Sequence, residues 1–165
     1  MKKLKLPNYG GLGMDLKRIL WKNKPETYQE FYNSISKEFN QNMIIFLKKH
    51  GLPKEMLQEY QQVLLYMNFV NFRKEKQLME ALNKQKWSVR ETGSFIDMKY
   101  KIDLEGYNSQ NQKVYIQVKP KEIDLSDNDL KILVSKANKD NAIAYIAFKK
   151  SNIWQLHILN KKSTF

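Results

Sequence analysis

Apolar residues recur every three or four positions up to about residue 85, and from Trp87 onward they alternate with polar ones, so a helical part precedes a strand-rich part. Over 25–49 the stripe is Tyr28, Phe31, Tyr32, Ile35, Phe39, Met43, Phe46 and Leu47. Pro25 suits a first helical turn, and His50-Gly51 supplies a stop. A second stretch from Pro53 carries Met56, Leu57, Tyr60, Val63, Leu64 and Met67 on one face, and the two stretches predict an antiparallel helical hairpin. A helix over 73–85 then points Leu78, Met79 and Leu82 inward, and the pattern leaves open whether it breaks from the preceding stretch around Asn68–Asn71.

The period-two part predicts strands at 87–92, 99–106 and 113–119, with GYNSQNQ as the polar turn between the last two. Ser126-Asp127 opens a helix over 127–138 with Leu130, Leu133 and Val134 inward, and strands at 142–148 (AIAYIAF) and 153–159 (IWQLHIL) follow. After the helical hairpin the order is therefore α-β-β-β-α-β-β, a mixed sheet of the α/β or α+β class. Residues 1–70 read as an N-terminal helical layer and 71–165 as the core, within one compact domain. Gly10-Gly11-x-Gly13 follows no strand and reads as a flexible segment. Trp87, Tyr145 and Trp154 read as core.

Charge and composition narrow the chemistry. The net charge is +12, with 15 Lys and Arg against 8 acids in residues 1–85 and 14 against 9 in 86–165. A spread cationic excess favours a polyphosphate partner, because each neutralised phosphate releases a condensed counterion; a Lys- and Asn-rich composition is the alternative source of that charge. With no cysteine, disulfide scaffolds, Cys-ligated zinc and Cys catalysis are excluded. The two histidines, His50 and His157, lie far apart, so a metal would be held by oxygen ligands. The opening Lys residues are followed by Pro7, Asn8 and glycines rather than an apolar run, and no stretch has the length of a membrane span. A cytoplasmic protein is expected.

Candidate chemistry comes from parity. On KYKIDLEG, Tyr100, Ile102 and Leu104 alternate with Lys101, Asp103 and Glu105; on KVYIQVKP, Val114, Ile116 and Val118 alternate with Tyr115, Gln117 and Lys119. In a hairpin the polar sides coincide, so Asp103, Gln117 and Lys119 converge. An amphipathic hairpin with one solvated face gives the same pattern. Glu75 adds a second signal, because it precedes Leu78, Met79 and Leu82 by three, four and seven residues and so shares their apolar stripe. A carboxylate there needs compensation, by a shared cation or by a first-turn position that reaches water. Lys119 beside a hard divalent cation would stabilise charge on a phosphate or orient an attacking water.

Asp103, thirteen residues and then Gln117-Val118-Lys119 resembles the PD-(D/E)XK nuclease motif, an acid on one strand followed by (E/Q)xK on the next. EKQLMEALNKQKWSVRE (75–91) is similar to the segment of archaeal Holliday-junction resolvases and Mrr-type restriction proteins in which a Glu-bearing helix leads into a strand. KIDLEG and YIQVKP resemble that branch's acid-bearing and QxK strands, and the likeness covers about 73–149. It implies a restriction-endonuclease-like core and Mg²⁺-dependent hydrolysis of DNA phosphodiesters, with Mn²⁺ as a substitute. It implies Asp103, Glu75 and the Val118 carbonyl as metal ligands, and Asp103, Gln117, Lys119 and Glu75 as the catalytic set. Gln117 stands where the family more commonly has Glu, which leaves one negative charge fewer, and no Pro precedes Asp103.

Arg90, Ser94, Lys99, Lys101 and Lys121 flank this set as candidate phosphate contacts, and Glu105 is an auxiliary ligand or a solvated acid. The expected partner is double-stranded or branched DNA, cut in restriction, homing or junction resolution. A homodimer is expected, because cutting two strands calls for two sites. A non-catalytic DNA-binding protein on the same fold is the alternative, and a basic interaction protein with no site is a third.

Overall fold

The computed structural model describes residues 4–119 and 127–160. It divides into two compact units, Met1–Arg73 and Lys74–Phe165. The first unit is helical: α1 (Tyr9–Leu12), α2 (Leu16–Asn23), α3 (Tyr28–Lys49), α4 (Leu57–Tyr60) and the start of α5 (Met67–Lys84), with a wider π turn at Gln61–Tyr66. Pro25 lies outside α3, because Thr27 is the N-cap and its hydroxyl accepts from the Glu30 N–H. The predicted stripe of α3 is buried at Phe31, Ile35, Phe39, Met43, Phe46 and Leu47. No break occurs at Asn68–Asn71, which lie within α5. The glycine cluster expected to be flexible lies in and just after α1, where Asn8 Oδ1 accepts from the Gly11 N–H.

The second unit is a five-stranded mixed sheet with helices. After α5 come β1 (Ser88–Glu91), α6 (Ser94–Tyr100), β2 (Leu104–Tyr107), β3 (Lys113–Val118), α7 (Asn128–Lys139), β4 (Ile143–Lys150) and β5 (Ile153–Ile158). The strands lie in sequence order, antiparallel except for the β3–β4 pair, which is parallel. A parallel pair needs a crossover, and α7 lies in that connection. This is the mixed α+β order expected from the sequence, α-β-β-β-α-β-β, with one helix added.

Both faces of the sheet are covered. Leu78 and Leu82 of α5 join Val89, Leu104, Val114, Ile116, Ile143, Tyr145 and Ala147 in one core, with Trp87, Val118 and Trp154 against it. Leu133 and Ala137 of α7 join Ile102, Tyr115, Ala142 and Ala144 in the other. A hairpin with one solvated face is thereby excluded, because Val114, Tyr115, Ile116 and Gln117 are all buried.

The strand expected at 99–106 is a correction. Residues up to Tyr100 are helical, and β2 begins only at Leu104. Gly93 (φ 82) turns the chain out of β1, and Lys101 (φ 60) ends α6 in the left-handed region. Ile96 and Tyr100, one helical turn apart, pack on the α7-side core, and this contact outweighs the strand preference of the sequence. Ile102 and Leu104 therefore enter opposite cores instead of sharing a face. Among the described residues, no helix is long and apolar enough to cross a membrane.

Candidate active site

Among the described residues, the buried polar or charged side chains are Glu75 (7% exposed), Asp103 (7%) and Gln117 (6%), all in the second unit. Each comes from a different element. Glu75 lies in the interior of α5, on the stripe of Leu78 and Leu82. Because α5 begins at Met67, Glu75 is not in a first turn, and a dipole-stabilised acid reaching water is excluded.

Asp103 sits between α6 and β2. Its N–H donates to the Ile116 carbonyl (2.9 Å) and its Oδ2 accepts from the Val118 N–H (2.7 Å). The Thr92 hydroxyl donates to the neighbouring Ile102 carbonyl, which ties this short link to the end of β1. One step beyond the Leu104–Ile116 pair, Asp103 thus stands against the C-terminal end of β3. A carboxylate that accepts a backbone N–H in a covered sheet is held in one orientation.

Gln117 follows Tyr115 on the α7-side face of β3. Its Oε1 is buried and has no hydrogen-bond partner among the described residues. Such an acceptor in a well-packed interior calls for an explanation. Lys119 leaves the end of β3 with its N–H on the Ala147 carbonyl (2.8 Å). Its Nζ is 3.9 Å from Asp129 Oδ2, and Lys101 Nζ is 3.9 Å from the other oxygen of the same carboxylate. Both separations exceed a hydrogen bond, so Asp129 sets the local field more than it immobilises either ammonium.

Asp129 was not foreseen. It sits in the first turn of α7, and its N–H donates to the N-cap carboxylate of Asp127 (2.8 Å). An acid in a first turn has a sufficient local reason in the helix dipole, so the sequence carries no separate signal for it.

Around the same sheet face, the Tyr115 hydroxyl donates to Asp140 Oδ2, and Lys136 Nζ lies 3.0 Å from that oxygen. Burial first, and this hydrogen bond second, push the Tyr115 hydroxyl well above its ordinary range. The Tyr115 hydrogen bond and then that of Lys136 hold the Asp140 carboxyl below its ordinary value.

The flanking candidates are spread out. Arg90 is exposed on β1 and pairs with Glu105 Oε1 at 3.6 Å, so Glu105 stands against a cation. Ser94 opens α6. Lys99 Nζ lies 5.2 Å from the Tyr100 ring centroid and 5.5 Å from that of Phe95. Lys101 caps α6. Lys121 lies outside the described residues.

Among the described residues, no group of three or more His, Cys, Asp and Glu is placed to hold a metal ion. Glu75 on α5, and Asp103, Gln117 Oε1 and the Val118 carbonyl beside the end of β3, are by type two carboxylates and two neutral oxygens. That donor chemistry suits a hard cation such as Mg²⁺ or Mn²⁺, which keeps waters and takes substrate phosphate in its remaining positions. The unpartnered Gln117 Oε1 is the feature of this structure that such a cation would satisfy.

No protein-family model matches the chain, and no curated protein does. Among solved structures it is similar to Hjc, a Holliday junction resolvase of Archaeoglobus fulgidus, with 21% identity and a TM-score of 0.45, over 53% of this chain and 74% of that one.

Proposed function

We propose that the chain is a divalent-metal-dependent endonuclease that hydrolyses phosphodiester bonds in double-stranded or branched DNA, acts as a homodimer and uses a PD-(D/E)XK-type site. The observation that carries this reading is that the buried polar and charged side chains of the described residues, Glu75, Asp103 and Gln117, all lie in one compact unit, and that Gln117 Oε1 among them has no hydrogen-bond partner there. Restriction, homing and junction resolution all fall within it.

Asp103, Glu75, Gln117 Oε1 and the Val118 carbonyl would hold the cation. When bound, it would supply Lewis-acid charge to the scissile phosphate. Asp103 is pre-aimed by the Val118 N–H, so little reorganisation is needed when substrate arrives. Lys119 brings a positive charge from the end of the same strand and would stabilise the oxygen charge that develops as the phosphodiester is attacked. Asp129 tempers the field of Lys119 and Lys101.

A second reading, a DNA-binding protein without cleavage, is favoured by the donor set itself. Gln117 contributes no charge, and no three acids come together among the described residues. Supercoiled plasmid, methylated plasmid and a four-way junction, each with Mg²⁺ or EDTA, separate the two. Cleavage in Mg²⁺ is expected, falling by roughly 10²–10³-fold in Asp103→Ala and Lys119→Ala. Cleavage unchanged in those variants would refute the site, and binding without cleavage in Mg²⁺ or Mn²⁺ would establish the second reading.

A further inference from the structure

On the second unit, away from the Asp103 end of β3, a cleft of about 380 Å³ lies over the β1–β2–β3 pairing. Ser88, Arg90, Glu105, Tyr107 and Lys113 line it. Register explains the assembly: Ser88 pairs with Tyr107 and Tyr107 with Lys113, so the three form one row across the sheet, and Arg90 pairs with Glu105 in the next row of that face. Gly106 makes the rows close, because a Cβ there would stand 1.9 Å from the Ser88 carbonyl oxygen.

The chemistry of this row is mixed in a particular way. Tyr107 is 47% exposed although large aromatic rings favour burial. A cationic side chain stands on each side: Arg90, 82% exposed, and Lys113, whose Nζ lies 5.4 Å from the Tyr115 ring centroid. The Glu105 carboxylate holds Arg90 at 3.6 Å and adds an acceptor to the cleft, and the Ser88 hydroxyl adds a donor and acceptor. An aromatic face flanked by cations, with a few acceptors beside it, is the chemistry of an unpaired nucleotide: a base to stack, phosphates to neutralise and exocyclic amines to bind. The volume falls in the range of small-ligand sites.

We propose that this cleft binds one unpaired nucleotide of a DNA substrate, its base stacked on Tyr107, its flanking phosphates met by Arg90 and Lys113, and its amine received by Glu105. This deepens the endonuclease reading and rests on DNA being the substrate. Lys113 opens β3 and Lys119 follows its last residue, six residues apart, roughly 20 Å at 3.3 Å per residue. That is about six base steps of duplex, so the unpaired nucleotide would lie a fixed short distance from the bond cut.

Fluorescence anisotropy with the full chain in EDTA tests it, using labelled blunt duplex and the same duplex with a short single-stranded overhang. The wild type is expected to prefer the overhang. Tyr107→Ala should weaken overhang binding about tenfold, whereas Tyr107→Phe, which keeps the ring, should retain it. Lys113→Glu should also weaken it, as an independent check should Tyr107→Ala fail to fold. Equal binding of blunt and overhang DNA by the wild type, or overhang binding in both Tyr107→Ala and Lys113→Glu equal to wild type, would overturn the proposal. Cleavage of supercoiled plasmid that is lost in Asp103→Ala would still uphold the endonuclease reading in that case, so the two fail separately.

Discussion

A buried amide oxygen without a partner costs about 1–3 kcal/mol, and Gln117 carries that cost in a strand where an apolar residue of similar size would avoid it. Gln117→Leu is accordingly expected to raise the thermal midpoint in EDTA and to remove any stabilisation by Mg²⁺. Gln117→Glu should behave oppositely, losing about 1–3 kcal/mol in EDTA through a buried carboxylate and gaining more than the wild type when Mg²⁺ is added. Thermal shift with and without the cation reads both. The Tyr115–Asp140 pair makes a separate prediction. Asp140 is held below its ordinary value of 3.8, so its stabilising contribution is present above that pH and lost as pH falls through the lowered folded value. Tyr115 is held above its ordinary 10.0, so its contribution is present below pH 10 and lost as pH rises further. Tyr115→Phe should cost about 1 kcal/mol at neutral pH and flatten the fall in stability as pH drops below 3.8, measured by urea denaturation.

The helices and strands show which parts of the fold local pattern determines. Long amphipathic elements were readable: α3, α7, β3, β4 and β5 lie within a few residues of their expected places, because each buries one periodic set of side chains. α6 was not. Its seven residues are too few for periodicity to override the alternation of KYKIDLEG, and what makes it a helix is distant in sequence, the α7-side core that Ile96 and Tyr100 join. The candidate site divides along the same line. Asp103, Gln117 and Lys119 were visible by spacing and Glu75 by its place on an apolar stripe, whereas Asp129 and the Thr92 tie depend on how α6 and α7 turn. Gly106 shows the opposite limit, a tertiary constraint carried by one residue. Gly106→Ala forces backbone apart at the Ser88–Tyr107 pairing, and with φ at 153° it also strains the new residue. A loss of about 3 kcal/mol or more is expected in chemical denaturation. Gly93→Ala, with open space around it but φ at 82°, should cost about 1–2 kcal/mol.

Across the whole chain, a net charge of +12 divides almost evenly between residues 1–85 and 86–165, so cationic surface is not confined to the unit that carries the candidate site. Even spread argues for a substrate met over many phosphates, because a single-phosphate ligand gains nothing from distant lysines beyond about a Debye length of 10 Å at 0.1 M salt. Each phosphate neutralised on duplex DNA releases condensed counterions, with a slope of about −0.9 in log K against log salt. If 6–10 phosphates are engaged, raising salt from about 50 to about 200 mM should weaken binding roughly 10³–10⁵-fold. Charge deletions in the first unit, such as Lys48→Gln with Lys49→Gln at the end of α3, should then lower the slope without touching the Mg²⁺ response. Deletions at Lys119 should impair cleavage far more than the slope. A slope near zero in the wild type would mean that the cationic excess belongs to composition alone, and the DNA reading would fall with it; a steep slope shared by both halves would make the helical unit part of the DNA-binding surface.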